Sequence, residues 1–211
     1  MVDEADEIST LLRRAAAGDQ NALAEAFAHF RGRLKRMVQL RLDRRLQGRV
    51  DPSDVLQEAY LDLAKRAADY LDHPSLPFFL WLRLLTGQRL LAIHRQHLGA
   101  KMRSVGQEVA LHRGAMPQAT SASLAAQLLG RLSTPSQAAV RAEMQLRLQE
   151  ALNSMDAIDR EVLVLRHFEE LTNDETAEVL GLQKAAASNR YVRALKRLRI
   201  ILRSMPGFSE P

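Results

Sequence analysis

Residues 171–199 read LTNDETAEVLGLQKAAASNRYVRALKRLR, and the order of charges in this stretch decides the fold. Asp174, Glu175 and Glu178 all precede Gly181, while the sixteen residues from Lys184 to Arg199 contain no acid. Thr172 followed by Glu175 fits a capping box, in which a hydroxyl and a carboxylate satisfy orphan amides at a helix start. A first helix is expected over 174–180. Gly181 supplies a tight turn, and Ala177 is small enough for a second helix to cross closely. That second helix is expected from about Lys184 to Arg203.

This is the grammar of a helix-turn-helix, whose second helix lies in the major groove of DNA while its cations neutralise phosphates. Acids there would be repelled by the backbone, whereas in the first helix they favour the N-terminus at no such cost. Lys184, Ser188, Asn189, Arg190 and Arg193 sit early enough to meet bases or adjacent phosphates. Lys196, Arg197 and Arg199 lie further along, where they meet the DNA backbone or nothing. A solvated basic helix on an ordinary bundle would account for the charge run, but not for the capped helix and the Ala-x-x-x-Gly turn that precede it.

Outside this stretch the composition narrows the class. The chain has 211 residues, 30 Lys+Arg against 25 Asp+Glu, a formal net charge of +5 and no cysteine. Disulfides and thiolate metal sites are thereby excluded. The N-terminus, MVDEADEIST, is acidic and polar, the wrong character for a signal peptide. No apolar run approaches the roughly 18–20 residues needed to span a bilayer. The expectation is a soluble, cytoplasmic protein with no membrane association.

Apolar residues recur at helical steps through Leu11, Leu12, Ala15, Leu23, Phe27, Phe30, Leu34, Met37 and Val38, broken at Gly18–Asp19. A short helix and then a longer one, starting near Asn21, are expected. Asp51-Pro52-Ser53 opens a third helix, with proline suited to a first turn; it runs to about Leu71. His73–Pro77 is a turn, and a fourth helix covers about Phe78 to Leu98. No alternating strand pattern occurs, so the fold class is all-α. The texture changes between 104 and 140, where MPQATSASLAAQLLGRLSTPSQAAV suits a flexible linker. Leu124, Leu128 and Leu132 inside it have helical spacing, which fits a transient helix or one packed on a lobe. Two small helical domains are expected: a bundle over 8–103 and a helix-turn-helix domain over 141–203, joined by the linker 104–140.

The amino-terminal lobe carries two contrasting surfaces. DPSDVLQEAYLDLAKRAADY sets Asp54, Glu58 and Asp62 at steps of four, an acidic stripe flanked by Gln57 and Leu61, with Val55, Ala59, Leu63 and Ala67 facing inward. Such a stripe repels DNA and suits a basic protein surface, although by itself it reads first as a plain solvated face. From His73 to Gln107 there is instead no acid, while Arg83, Arg89, Arg95, Lys101 and Arg103 are present, with Phe78, Phe79 and Trp81 near the start. Cations with aromatics offer phosphate contacts and stacking surfaces for unpaired bases, although Trp81 also reads as core.

Taken together, the two lobes resemble the bacterial extracytoplasmic-function (ECF) sigma factors, the small two-domain promoter-specificity subunits of RNA polymerase. DPSDVLQEAYL looks like the family's polymerase-docking helix, with Asp51, Asp54, Gln57, Glu58 and Tyr60 at matching positions. The carboxyl-terminal lobe is similar to the family's minus-thirty-five-reading domain at Leu163, Leu171, Glu175, Ala177, Leu180, Gly181, Arg190, Arg193, Ala194 and Leu198. The resemblance implies docking on core RNA polymerase through Asp51, Asp54, Gln57, Glu58 and Leu61. It implies minus-ten recognition and melting by Arg83, Gln88, Arg89, Arg95 and Lys101, and minus-thirty-five reading by Lys184, Ser188, Asn189, Arg190, Arg193 and Arg197. The expected partners are core polymerase, promoter DNA and an inhibitory anti-sigma protein, the free chain being a monomer.

The sequence departs from the family pattern in places. A serine common after the turn is Gln183, and a common Thr-Val is Ala186-Ala187, which removes a helix cap and some core volume. In the strand-opening segment a common Asn is Gln88 and a common Asp is Ala92, while Arg95 matches. His94 and His97 are three apart on one helix but have no nearby carboxylate or cysteine, so no metal site, cofactor or catalytic set is expected and the protein is read as a non-enzyme. The alternative is a stand-alone helix-turn-helix regulator that binds DNA without docking on polymerase.

Overall fold

The computed structural model describes residues 4–98, 116–132 and 138–204. Every regular element among them is helical: α1 (Glu4–Ala16), α2 (Gln20–Arg41), α3 (Pro52–Asp72), α4 (Phe78–Leu98), α5 (Ser121–Leu132), α6 (Ala138–Asn153), α7 (Ala157–Leu163), α8 (Asn173–Leu180) and α9 (Lys184–Arg203). The chain forms two compact units, one holding Met1–Val38 with Arg45–Pro117 and the other Gln39–Arg44 with Gln118–Pro211.

In the first unit, α3 begins at Asp51, whose carboxylate accepts a hydrogen bond from the Ser53 amide at 2.6 Å, with Pro52 in the first turn. That bond leads the causes that hold the Asp51 carboxyl below its ordinary range. Val55, Leu56, Ala59, Leu63, Ala67 and Tyr70 form the buried stripe of α3. Each large apolar side chain among them contributes about 1.5–3 kcal/mol on burial. The start of α4 fills the other side of the core: Phe78, Phe79, Leu80, Trp81 and Leu82 are all buried. Tyr70 and Trp81 stack with centroids 4.2 Å apart, and the Tyr70 hydroxyl donates to the Leu76 carbonyl, closing the turn between α3 and α4. The Arg33 guanidinium covers the Phe79 ring at 3.6 Å. The α4 aromatics are therefore core rather than exposed stacking platforms.

In the second unit, α5 lies inside the segment that composition marks as a linker, yet it packs as core. Leu124, Ala125, Leu128 and Leu129 are buried with Leu148 and Leu152 of α6, Val164, Phe168, Ala194, Leu198 and Ile201. Its first turn is closed by Thr120, whose hydroxyl accepts from the Ser123 amide. An apolar face of four residues outweighs the linker-like Ser, Thr and Gln around it. After α7 the chain makes a π-helical turn, Val164–Phe168, which turns Phe168 and Glu169 inward. Arg41, belonging to this unit, is buried between Glu161 and Glu169, to which it donates at 2.5 and 2.6 Å. Burial would lower its pKa, but the two carboxylates outweigh burial and raise it. The charge thus stays on a side chain that would otherwise be costly to desolvate.

Candidate polymerase-docking and nucleic-acid surfaces

The helix pair read from the charge order is present. The Thr172 hydroxyl accepts from the Glu175 amide at 3.1 Å, and the Glu175 carboxylate accepts from the Thr172 amide at 2.7 Å, so the capping box is complete. Gly181 ends α8 at φ 64° and ψ 32°, the left-handed conformation that glycine adopts without a Cβ penalty. The Leu182 amide then donates to the Ala177 carbonyl at 2.8 Å. Gln183 caps α9 with no side-chain hydrogen bond, the loss anticipated where serine is common. The Asn173 side-chain amide instead donates to the Lys184 carbonyl across the turn, and the Lys184 ammonium pairs with Asp174.

On α9, Ala187, Ala194, Leu198 and Ile201 are buried. Ser188, Asn189, Arg193 and Arg197 are exposed, as is Lys184 at the helix start. Arg190 sits at the flank, its side chain 27% exposed. The structure adds a residue that the sequence reading missed. Asp159 of α7 is buried at 6% exposure. It accepts from Arg190 Nη1 at 2.7 Å, from Arg193 Nε at 2.7 Å and from Arg193 Nη2 at 2.9 Å. The Arg193 bonds lead the causes that hold the Asp159 carboxyl below its ordinary range, and burial opposes them. The same pairing raises the Arg193 pKa. Asp156, the α7 N-cap, lies 3.4 Å from Arg190 Nη1. The only sequence signal for this cluster was an acid near a helix start; nothing local tied it to arginines some thirty residues away.

In the first unit the residues expected to dock on polymerase share a face. Asp54, Gln57, Glu58 and Leu61 are exposed along α3, and Leu61 is 53% exposed despite being apolar. Asp51 lies at the head of the same helix, where its carboxylate serves as the cap. Tyr60 is half-buried with its ring edge-on to Phe27.

The residues expected to touch the minus-ten strand divide. Gln88 and Arg95 are exposed on α4. Arg89 bridges to α3, reaching Glu58 at 3.0 Å and Asp62 at 2.6 Å, so a residue read as strand-binding meets one read as polymerase-docking. Arg66 donates to the Gln88 side-chain carbonyl at 3.3 Å. Arg83 departs from the expectation: it is 6% exposed, on a face of α4 where helical spacing sets it in line with buried Phe79, Thr86 and Leu90. Lys101 lies outside the described residues. Gly87 is the site of a close approach, since a Cβ there would clash with the Met116 side chain. A shallow cleft of about 220 Å³ opens at the α3–α4 turn, lined by Arg66, Asp69, Tyr70, His73, Ser75 and Trp81.

Among the described residues no group of three His, Asp or Glu side chains is placed to hold a metal, and His94 is buried while His97 is exposed. No described helix is long and apolar enough to cross a membrane.

The family described as sigma-70, region 4 matches residues 145–198, a span that includes α7, α8 and most of α9. The ECF RNA polymerase sigma factor SigD of Mycobacterium tuberculosis is 27% identical over 199 residues, covering 94% of this chain and 85% of its own. Among solved structures, that of CnrH in complex with the cytosolic domain of CnrY covers 94% of this chain and 97% of its own. Its TM-score is 0.53 at 22% identity, which is a likeness of fold. The ECF RNA polymerase sigma factor ShbA of Streptomyces griseus is 31% identical over 201 residues, covering 94% of this chain and 97% of its own. Since the ShbA sequence matches at that identity along nearly the full length of both chains, the protein belongs to the ECF RNA polymerase sigma factors, which direct promoter-specific initiation of transcription.

Proposed function

We propose that the two units divide the work of a sigma factor, with residues 8–103 docking on core polymerase and opening the minus-ten region, and residues 141–203 reading the minus-thirty-five element. The observation that carries this reading is the α3 face, where Asp54, Gln57, Glu58 and Leu61 are exposed together. Three polar or acidic groups around a bare leucine suit a basic protein surface with an apolar spot, and they repel a phosphate backbone.

On α4, Gln88 and Arg95 meet the separated strand, and Arg89 stabilises the helix against α3. The cleft beside that path offers the polar groups of Arg66, His73 and Ser75 to an unpaired base, while the Tyr70 and Trp81 rings behind them stay packed in the core. Holding a base there offsets unstacking, which costs a few kcal/mol for each flipped base. On α9, Ser188, Asn189, Arg190 and Arg193 face the upstream element, and Lys184 and Arg197 the backbone. Replacing Arg190 by alanine should cost about 1–3 kcal/mol of discrimination at its base pair. No step makes or breaks a covalent bond, and the polymerase partner places the work in the cytoplasm. A restraining protein partner belongs to the same reading, by analogy with CnrH, whose solved structure is a complex with the cytosolic domain of CnrY.

The test is run-off transcription with purified core polymerase and the full chain. Promoter-specific transcripts are expected from wild type, and their loss with Asp54→Lys. Equal transcription and co-purification of Asp54→Lys with core enzyme would remove α3 as the docking helix.

A further inference from the structure

Arg190 and Arg193 are the two arginines best placed on α9 to meet DNA, and the folded chain already holds both. Arg193 gives Nε and Nη2 to a single carboxylate, a forked, bidentate geometry that fixes the plane of the guanidinium. Arg190 gives Nη1 to the same carboxylate. The acceptor, Asp159, is buried, so it is shielded from solvent and from any phosphate approaching α9. Asp156 adds a second negative charge 3.4 Å from Arg190, so the four side chains carry no net charge. Arg193 Nη1, and Nε and Nη2 of Arg190, donate to no described residue and remain for an outside acceptor. Further along the helix Arg197 is exposed and makes no ion pair among the described residues.

We propose that Asp159 is a specificity-determining residue of the upstream-element reader, holding Arg190 and Arg193 as one pre-positioned, charge-compensated pair. The inference rests on the reading of α9 as a DNA-contacting helix. Affinity for any duplex comes chiefly from counterions released as cations neutralise phosphates, about 0.9 in the slope of log K against log salt for each phosphate. A guanidinium already paired with a carboxylate contributes less to that sequence-independent term. Its remaining N–H groups still donate in a fixed direction, and base edges reward direction. Asp159 thus lowers attraction to wrong DNA more than recognition of the right one, and its short reach from α7 sets where the two guanidiniums stand.

The experiment is fluorescence anisotropy of the full chain on two labelled duplexes between 50 and 200 mM salt. One duplex carries a promoter on which the reconstituted holoenzyme initiates; the other is a shuffled sequence. Asp159→Asn keeps the shape of the side chain and can still accept hydrogen bonds while removing the charge. It is expected to bind the shuffled duplex more tightly, with a salt slope steeper by up to about 0.9, one phosphate contact, and to lose several-fold in promoter preference. In the wild-type background, Arg193→Ala should flatten the slope by much less than Arg197→Ala, and this comparison stands even if Asp159→Asn folds poorly. The proposal is overturned if folded Asp159→Asn keeps the wild-type slope and preference, or shows only a lower melting temperature. It is equally overturned if Arg193→Ala and Arg197→Ala flatten the slope alike. If alanine at 190, 193 and 197 leaves DNA binding untouched, the underlying assignment of α9 fails, and the proposal with it.

Discussion

Replacing Leu61 by alanine should weaken binding to core polymerase without altering the fold. Leu61 is 53% exposed on α3, one helical turn beyond Gln57 and Glu58. Full burial of a leucine side chain is worth about 1.5–3 kcal/mol, so covering the half still in contact with water yields about 1 kcal/mol. That corresponds to about fivefold in Kd. The change should be read by titrating labelled full-length chain with core polymerase, with thermal unfolding followed in parallel. Leu146 of the second unit, 61% exposed, is the control: a comparably bare leucine on a helix not assigned to docking. Leu61→Ala should lose about fivefold with an unchanged melting temperature, and Leu146→Ala should bind as wild type. Wild-type affinity in Leu61→Ala, or equal losses in both variants, would refute the assignment of the face. Leucine is also a cleaner probe than Glu58, because Glu58→Lys would put a cation against Arg89, now 3.0 Å from the carboxylate, and so disturb the α3–α4 contact as well.

Other outcomes can be set beside it. Gly181→Ala forces a Cβ into the left-handed turn between α8 and α9 and should destabilise the second unit by about 1–2 kcal/mol, read by chemical denaturation. Gln183→Ser supplies the hydroxyl cap that α9 lacks and should stabilise by about 1 kcal/mol in the same assay. Because the folded state holds the Asp159 carboxyl below its ordinary range, its ion pairs contribute fully above that range. Their contribution fades as pH falls through the range and below it, so the stability gap between wild type and Asp159→Asn should be constant near neutrality and shrink in acid. A gap independent of pH from 7 to about 3 would contradict the pairing.

The parts legible in the sequence were those set by near neighbours. Thr172 and Glu175 are one helical turn apart, Gly181 satisfies its own backbone, and the spacing of Val55, Ala59, Leu63 and Ala67 marks an inward stripe, so α3, α8 and α9 could be bounded from local chemistry. The exposed run Asp54, Gln57, Glu58 and Leu61 follows from the same periodicity. What only the tertiary structure decided was which side chains meet across helices. A basic residue read along the chain looks available to DNA, but Arg83 is buried on α4, Arg89 is held by Glu58 and Asp62, and Arg190 and Arg193 are held by Asp159. Likewise the composition around α5 suits a linker while its leucine spacing fits a transient or a packed helix, and only the packing decides between them. Charge and polarity are properties of single residues, whereas burial and pairing belong to the space between elements, and that space is set only when the helices close on one another.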